Sequence, residues 1–262
     1  MSREPDAAPA AVRPTLVVYE VATADGRVAL SPDVLLMGDS RWPRVENGGY
    51  AAVLNRHHPD ALLEGSGTLV LPDAGPVEWP EDDLRTPSGD SGDEAGHFLP
   101  EDVLAQTVRW FAVVDSRGRV VWPFTQFPYP EWAGTHLLVL VSRATPPGYL
   151  AYLRRERIPY LVAGEGRVDL SEALATMRAV LGVATVVATC GAQLGGTLLR
   201  LGLIDTLEIE VLPIAAGGNR APMMLTSADL GPGEAPTSLR LNDATVYADG
   251  RVLLSYAVNP RE

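Results

Sequence analysis

The 262-residue sequence contains no lysine, so all 21 of its basic residues are arginines. This absence excludes a phosphate-binding P-loop lysine and Schiff-base chemistry, including that of pyridoxal phosphate. The single cysteine, Cys190, excludes an intrachain disulfide and every multi-cysteine zinc site, including that of the zinc deaminases. The four histidines lack metal-ligand spacing, and adjacent histidines such as His57 and His58 are usually just solvated. We therefore predict that the protein binds no metal.

Positive charge is scarce, because 21 basic residues face 33 acidic ones and give a net charge of −12. A surface this acidic repels nucleic acid and anionic membranes unless a basic patch is present, and the sequence has no arginine run. Long apolar runs are also lacking: residues 137–141 match a strand, far short of the roughly 20 residues of a membrane span. Residues 1–14 do not have the pattern of a signal peptide. We expect a cytoplasmic protein with neither nucleic-acid nor membrane partners.

The composition is that of a globular protein, with 46% apolar residues. A chain of this length buries roughly 70–75% of its surface on folding, enough for stability without disulfides or a structural metal. Residues 1–13 are polar and rich in alanine and proline, which indicates a disordered tail. Residues 14–262 then form one domain. Residues 73–100, acidic and rich in proline, glycine and serine, are predicted to be a surface insertion within it.

Apolar runs of strand length alternate with helical patterns along the chain. A helix over residues 170–181 is predicted to start at an Asp169 cap, paired with Glu172 in a capping box, and to end at Gly182. Further predicted elements are strands at 15–22, 60–64, 137–142, 160–163, 183–188 and 207–212, a helix at 194–201, a hairpin of 110–115 with 120–122, and a C-terminal hairpin of 239–247 with 252–258. Together they predict an α/β domain with a mixed central sheet flanked by helices.

Thr189–Gly196 follows a predicted buried strand and opens a helix. Small residues there allow a ligand to approach the backbone, and the free amides of a helix N-terminus attract an anion such as a dinucleotide pyrophosphate. The same glycines are equally compatible with tight packing of helix on strand. The dinucleotide fingerprint G-x-G-x-x-G is not matched.

Gly65–Thr68 occupies a similar position after the 60–64 strand, although an ordinary hairpin loop fits it as well. Two such loops at two strand ends favour a shared cleft, and Glu64 then ends its strand at that cleft. Glu64 is also compatible with a simple surface role. Cys190 fits a small buried apolar residue better than a reactive thiol, which needs an electropositive neighbourhood. Without a G-x-S-x-G elbow, serine-hydrolase chemistry has little support.

Five sets of residues match known motifs in order between Pro14 and Val258. They are Thr23-Ala24-Asp25-Gly26-Arg27, Asp39-Ser40-Arg41-Trp42, Arg56 with Asp60–Thr68, Thr189-Cys190-Gly191, and Gly202–Leu207 with Pro213–Gly218. The chain thereby resembles the RibD C-terminal type of reductase domain from riboflavin biosynthesis. The resemblance implies a dihydrofolate-reductase-like fold, a homodimer and NADPH as cofactor.

The resemblance also implies roles for individual residues. Thr23, Asp25 and Arg27 are expected at the catalytic centre, and Arg143 at the 2′-phosphate of the cofactor, which suits a permanently charged guanidinium. Substrate contacts are expected from Ser40, Trp42 and Arg56, to which the strand-end position adds Glu64. Cofactor contacts are expected from Gly65, Ser66, Gly67, Thr68, Ser142, Arg143, Cys190, Gly191, Ala192, Gln193 and Leu194.

The expected activity is hydride transfer from NADPH to a C=N or C=O group of a small polar or heterocyclic substrate, in a reductase without the deaminase half of bifunctional riboflavin enzymes. This expected activity is similar to that of 5-amino-6-(5-phosphoribosylamino)uracil reductase. Four departures argue against that exact substrate: Thr189 replaces a glutamate, Cys190 a glycine, Arg27 a lysine and Pro72 an acidic residue. The alternative is a non-catalytic ligand-binding protein that retains the fold.

Overall fold

The computed structural model describes residues 12–31, 34–36, 50–70, 77–79, 96–125, 127 and 132–260. In chain order the elements are β1 (Thr15–Thr23), β2 (Ala29–Ser31), β3 (Val34–Leu35), α1 (Tyr50–His57), β4 (Ala61–Gly65), α2 (Glu101–Leu104), β5 (Arg109–Val114), β6 (Thr135–Val141), α3 (Pro147–Arg155), β7 (Tyr160–Val162), α4 (Leu170–Leu181), β8 (Thr185–Ala188), α5 (Ala192–Arg200), β9 (Thr206–Leu212), β10 (Leu239–Val246) and β11 (Val252–Val258).

Nine strands form one sheet in the order β10-β11-β9-β1-β8-β4-β5-β6-β7. From β9 to β7 every neighbouring pair is parallel, whereas β11 runs antiparallel to both β9 and β10. The sheet is therefore mixed, and its C-terminal edge is the predicted hairpin. The short strands β2 and β3 pair separately. The parallel strands all end at the same edge, which is where open α/β sheets bind ligands.

Alternating side chains of the strands fill a core on each face of the sheet. On β1, Leu16 and Val18 point to the face covered by α4 and α5, and Val17 and Tyr19 point to the face covered by α1 and α3. β6 is buried at each of its positions, as expected of a central strand covered on both sides. The predicted single α/β domain is thus confirmed.

Helix α4 follows the sequence pattern closely. Leu170, Ala173, Leu174 and Met177 form its buried face. The Asp169 carboxylate accepts the amides of Ser171 and Glu172, and Gly182 ends the helix with a φ of 69°. The capping box is not reciprocal, because the Glu172 carboxylate accepts the amide of Gly164 instead. That bond ties α4 to the loop after β7.

The predicted hairpin of residues 110–115 with 120–122 is wrong. β5 pairs in parallel with β4 and β6, and residues 120–122 form no strand. The cause is Asp115, whose carboxylate accepts the amides of Arg119 and Val120 at 2.7 and 2.9 Å and closes a tight loop. The chain then crosses α3, where the Trp122 amide donates to the Tyr152 hydroxyl.

Part of the predicted insertion packs on the domain. The Trp79 ring lies 5.1 Å from that of Tyr149 and 4.8 Å from that of Tyr152, and its indole donates to the Gly118 carbonyl. Residues 71–76, 80–95 and the first eleven residues, with most of the predicted tail, lie outside the described residues. Across the ranges that the structure does describe, no helix is long and apolar enough to cross a membrane.

Close packing at Gly196 gives a direct test of this fold. A β-carbon there would lie 2.0 Å from the Thr226 carbonyl oxygen, whereas one on Gly166 meets nothing within 4 Å. We expect Gly196→Ala to lower the free energy of unfolding by about 2–3 kcal/mol in urea titrations, because the backbone must move apart. Gly166→Ala is the control and should change it by less than about 0.5 kcal/mol. Equal effects would contradict the packing.

Candidate functional site

The loops after β4 and β8 meet at the carboxyl edge of the sheet. These strands are parallel neighbours, with Leu63 opposite Ala188, so their chains leave the sheet side by side. A β-carbon built on Gly65 would lie 3.8 Å from the Leu194 side chain. One built on Gly67 meets nothing within 4 Å, so that side of the loop is open. The structure therefore brings together the two loops expected to form one cleft.

The start of α5 presents unused amides to this cleft. Gly191 is the N-cap in an extended conformation, without a side-chain cap. Its carbonyl accepts the amides of Leu194 and Gly195. The amides of Ala192 and Gln193 donate to no acceptor within the described part of the chain. With the positive end of the helix dipole, these groups fit an anion such as the diphosphate bridge of a dinucleotide.

A carboxyl group lies beneath the same loops. The Thr189 hydroxyl donates to Glu64 Oε1 at 2.5 Å, and Glu64 is only 4% exposed. The glutamate that the family motif places at residue 189 is missing, but β4 supplies a carboxyl within one hydrogen bond of that position. Glu64 lies near the end of its strand, as expected, and is held there by Thr189, whereas its contact with a substrate stays a prediction.

A second acid, Glu20 on β1, was not anticipated from the sequence. It is 5% exposed, and burial raises the pKa of its carboxyl well above the usual range, with a further rise from the charge of Glu64. Burial, followed by the charges of Glu20 and Glu64, also raises the pKa of the Cys190 thiol. Cys190 is therefore a buried, unreactive thiol, in agreement with the apolar interpretation of this residue.

Asp25 holds the turn after β1 against a later segment, residues 213–226. Its carboxylate accepts the Thr23 hydroxyl at 2.6 Å and the amides of Ala216 and Gly217 at 2.9 and 2.8 Å. The Thr23 hydroxyl, followed by these amides, lowers the pKa of Asp25 to about 2. The carboxylate is thus a structural acceptor as well as a predicted catalytic group.

Arg27 extends the same connection. Its guanidinium donates to the carbonyls of Ala221 and Gly218 at 2.6 and 2.7 Å, and its amide donates to the Thr23 hydroxyl. Segment 213–226 continues to α5, where the Thr226 amide donates to the Ala192 carbonyl. The three predicted catalytic residues therefore lie together, and their polar groups engage the protein itself.

Arg56, predicted to anchor the substrate, lies on a different part of the sheet. Its guanidinium pairs with Glu208 of β9 at 2.8 Å and lies over the Tyr19 ring. β1 separates β9 from β8, so this ion pair is not at the glycine loops. Ser40 and Trp42 lie outside the described residues, as does the side chain of Thr68.

Ser142 and Arg143 follow directly after β6, two strands from β4. Ser142 is buried, and its amide donates to the Thr145 hydroxyl. Arg143 is about half exposed, with side-chain distances of 3.5 Å to Glu165 and 3.9 Å to Glu172. Exposed ion pairs at such distances contribute little, so the Arg143 guanidinium is available to a stronger anion.

Sequence reasoning missed Arg119, which lies beside the β4 loop. Its Nη2 donates to Ser66 Oγ at 3.1 Å. Its buried Nε has no acceptor, and no carboxylate of the described residues pairs with this guanidinium. Several other arginines in the described ranges pair with acids, as Arg13 does with Asp205. An unpaired guanidinium next to a glycine loop fits a phosphate group.

These features define the class of protein: an α/β domain of the dihydrofolate-reductase-like fold, with two glycine loops side by side at the carboxyl ends of its parallel strands. The model of the RibD C-terminal domain matches residues 14–254. The chain therefore belongs to the RibD C-terminal domain family, and the resemblance seen in its motifs is confirmed. No match is found among curated proteins.

Solved structures support the fold. RibD from Acinetobacter baumannii is 18% identical with a TM-score of 0.61, covering 94% of this chain and 58% of its own. A pyrimidine reductase-like protein from Corynebacterium diphtheriae is 15% identical with a TM-score of 0.60, covering 95% and 93%. The riboflavin biosynthesis reductase Rib7 of Saccharomyces cerevisiae is 16% identical with a TM-score of 0.56, covering 94% and 90%. The chain thus spans just over half of the A. baumannii protein.

Within the ranges that the structure describes, no group of three or more histidine, cysteine or acidic side chains is arranged to hold a metal ion.

The turn at Asp25 makes stability depend on pH. Its pKa falls from 3.8 to about 2 in the folded protein, so its contribution is complete above about pH 4 and is lost as the pH falls through about 2. We expect Asp25→Asn to lower the melting temperature by several degrees at neutral pH, because the asparagine carries no charge. The difference from wild type should shrink towards about pH 2 in calorimetry. A constant difference would contradict this role.

Proposed function

We propose that the protein is an NADPH-dependent reductase that transfers hydride to a C=N or C=O group of a small polar or heterocyclic substrate. The observation that carries the proposal is the meeting of the Gly65–Thr68 loop with the free amides at the start of α5. Membership of the RibD C-terminal domain family supports it. So do the names of the neighbouring structures, which are those of reductases in riboflavin biosynthesis.

The cofactor side consists of groups that suit phosphates. The backbone from Gly65 to Thr68 and from Cys190 to Leu194 would hold the diphosphate bridge, with the Arg119 guanidinium beside it. Arg143 at the end of β6 would bind the 2′-phosphate. When bound, NADPH supplies the hydride, and the protein contributes alignment and charge.

The substrate side is proposed to include the turn of Thr23, Asp25 and Arg27, with Ser40, Trp42, Arg56 and Glu64. The Glu64–Thr189 pair supplies a hydrogen-bonding carboxyl to this side of the cleft. Arg27 retains a positive charge but does not release a proton near neutral pH. Because residue 189 carries a hydroxyl in place of a carboxylate, the substrate is proposed to differ from the aminopyrimidine of the riboflavin pathway.

One observation favours a second function, a non-catalytic ligand-binding protein. Asp25 and Arg27 bind segment 213–226 through their polar groups, and the Thr23 hydroxyl donates to Asp25. A protein that had lost hydride transfer would keep such a turn for stability alone. Nicotinamide fluorescence separates the two functions. Saturable NADPH binding supports the reductase, whereas no NADPH binding, with another small molecule raising the melting temperature, supports the alternative.

Two arginines test how the cofactor is held. We expect Arg119→Ala to weaken NADPH and NADH about equally, by roughly 10- to 100-fold, because its charge lies next to the diphosphate loop. Arg143→Ala should weaken NADPH about tenfold and leave NADH unchanged, since only NADPH has a 2′-phosphate. Dissociation constants from fluorescence titration give both results. If the two variants behave alike, the assignment of separate phosphates is wrong.

We also propose that the protein is a homodimer that pairs through the edge of its sheet. All of β10 is exposed, including Leu239, Leu241 and Val246. An open strand of this kind is a template for pairing with another chain. We expect Leu241→Arg to give a monomer in sedimentation experiments, while Leu230→Arg, on an exposed leucine outside the strands, leaves the dimer intact. A wild-type monomer would contradict this arrangement.

A further inference from the structure

Glu20 occupies an unusual place for a carboxyl group. It lies on β1 opposite Ile209 of β9, and it shares the α5 side of the sheet with Leu16 and Val18. It is 5% exposed. Its Oε1 atom is buried and has no hydrogen-bond partner within the described residues. A buried carboxyl without a partner is costly, so its position needs a reason.

The carboxyl lies under the beginning of α5. A β-carbon on Gly195 would be 3.1 Å from Glu20 Oε1 and 3.7 Å from Cys190 Sγ. Gly195 is the fourth residue of α5, one turn from the free amides of Ala192 and Gln193. Glu20 is therefore close to the proposed position of the diphosphate without occupying it.

Within the described part of the chain, the groups that face Glu20 supply no positive charge. The loop after β8 contributes the Cys190 thiol, and β4 contributes the charge of Glu64. Gly195 of α5, Leu225 of segment 213–226 and Ile209 of β9 carry no ionisable side chain. Burial and Glu64 both favour the protonated, neutral form of the Glu20 carboxyl.

We propose that Glu20 is an affinity-determining residue of the anion site at the start of α5, where it must keep its proton while a phosphate-bearing ligand is bound. This inference rests on the proposed function of that site. A neutral acid is compatible with the phosphates, whereas an ionised one would repel them across a region of low dielectric. Glu20 acts through its effect on the electrostatic potential at the start of α5. It is a positioning residue rather than a catalytic one.

The direction in which affinity changes with pH follows from the coupling between ligand binding and proton binding. Binding an anion makes it harder for Glu20 to lose its proton, so the bound state retains that proton to a higher pH than the free state. Affinity is then constant while free Glu20 is protonated and falls as the pH rises through its raised pKa. If ligand binding raises that pKa by one unit, the affinity can fall by at most tenfold.

The test is the NADPH dissociation constant across the neutral and alkaline pH range, in which the 2′-phosphate is ionised. We expect wild type to lose affinity by about tenfold or more as the pH rises through the raised pKa of Glu20. Glu20→Gln, neutral and nearly the same shape, should bind as wild type does at about pH 7 and change less than about threefold. The absence of lysine removes the side chains that commonly titrate near the upper end of this range.

Glu64→Gln is a second variant, which is expected to move the pH dependence of binding rather than remove it. Removing its charge makes Glu20 easier to ionise, so the loss of affinity should begin at a lower pH than in wild type. Melting temperatures of all three proteins establish that they are folded. A purely structural role for Glu20 would change these temperatures without altering the pH profile of binding.

ADP-ribose, whose diphosphate bridge does not titrate in this range, is measured in parallel. If both ligands bind with the same pH profile in wild type and Glu20→Gln, the inference is overturned and the proposed function stands. If ADP-ribose shows the expected profile and NADPH does not bind, the proposed function fails and the inference stands. If neither binds, both are overturned.

Discussion

Parallel pairing of β4 with β8 is the constraint on which the candidate site depends. It places Leu63 opposite Ala188, and both strands are buried, so a shift by one residue would turn core side chains to the wrong face. With the register fixed by the core, the Gly65 loop and the start of α5 have to leave the sheet side by side. The geometry of the candidate site is thus set by buried apolar packing and not by the loops that line it.

An acidic protein that binds an anion needs local sources of positive potential. With a net charge of −12, the surface as a whole opposes a phosphate-bearing ligand. The amides at the start of α5 and the unpaired Arg119 guanidinium oppose that effect locally. In the arrangement we propose, a proton on Glu20 keeps a negative charge from forming beside that of Glu64, near the position proposed for the phosphates.

Much of the fold was predictable because its strands are continuous apolar runs and its best helix carries both caps. α4 and the C-terminal hairpin match the sequence pattern closely. The hairpin at residues 110–122 was wrong because a glycine-containing turn between apolar runs does not reveal where its amides are bonded. The Asp115 carboxylate accepts two of these amides, and the spacing of apolar residues does not predict such bonds.

The backbone loops of the candidate site could be predicted from the sequence. The side-chain contacts between residues far apart in the chain could not. Glycine loops after buried strands indicated that the two loops meet at one edge of the sheet, as they do. Glu20 stands within a β-branched run, and only the sheet shows that it faces α5. Arg119 meets Ser66 across 53 residues of chain, and Arg56 meets Glu208 across 152. The partners of these arginines become visible only in three dimensions.

Segment 213–226 connects the turn after β1 to the start of α5. One end is fixed to the turn after β1 through Asp25 and Arg27, and the other bonds to Ala192. Gly196 lets this segment lie directly against α5, with no room for a methyl group between them. Under the proposed function, a shift of α5 on nucleotide binding would therefore be carried along this segment to the turn after β1.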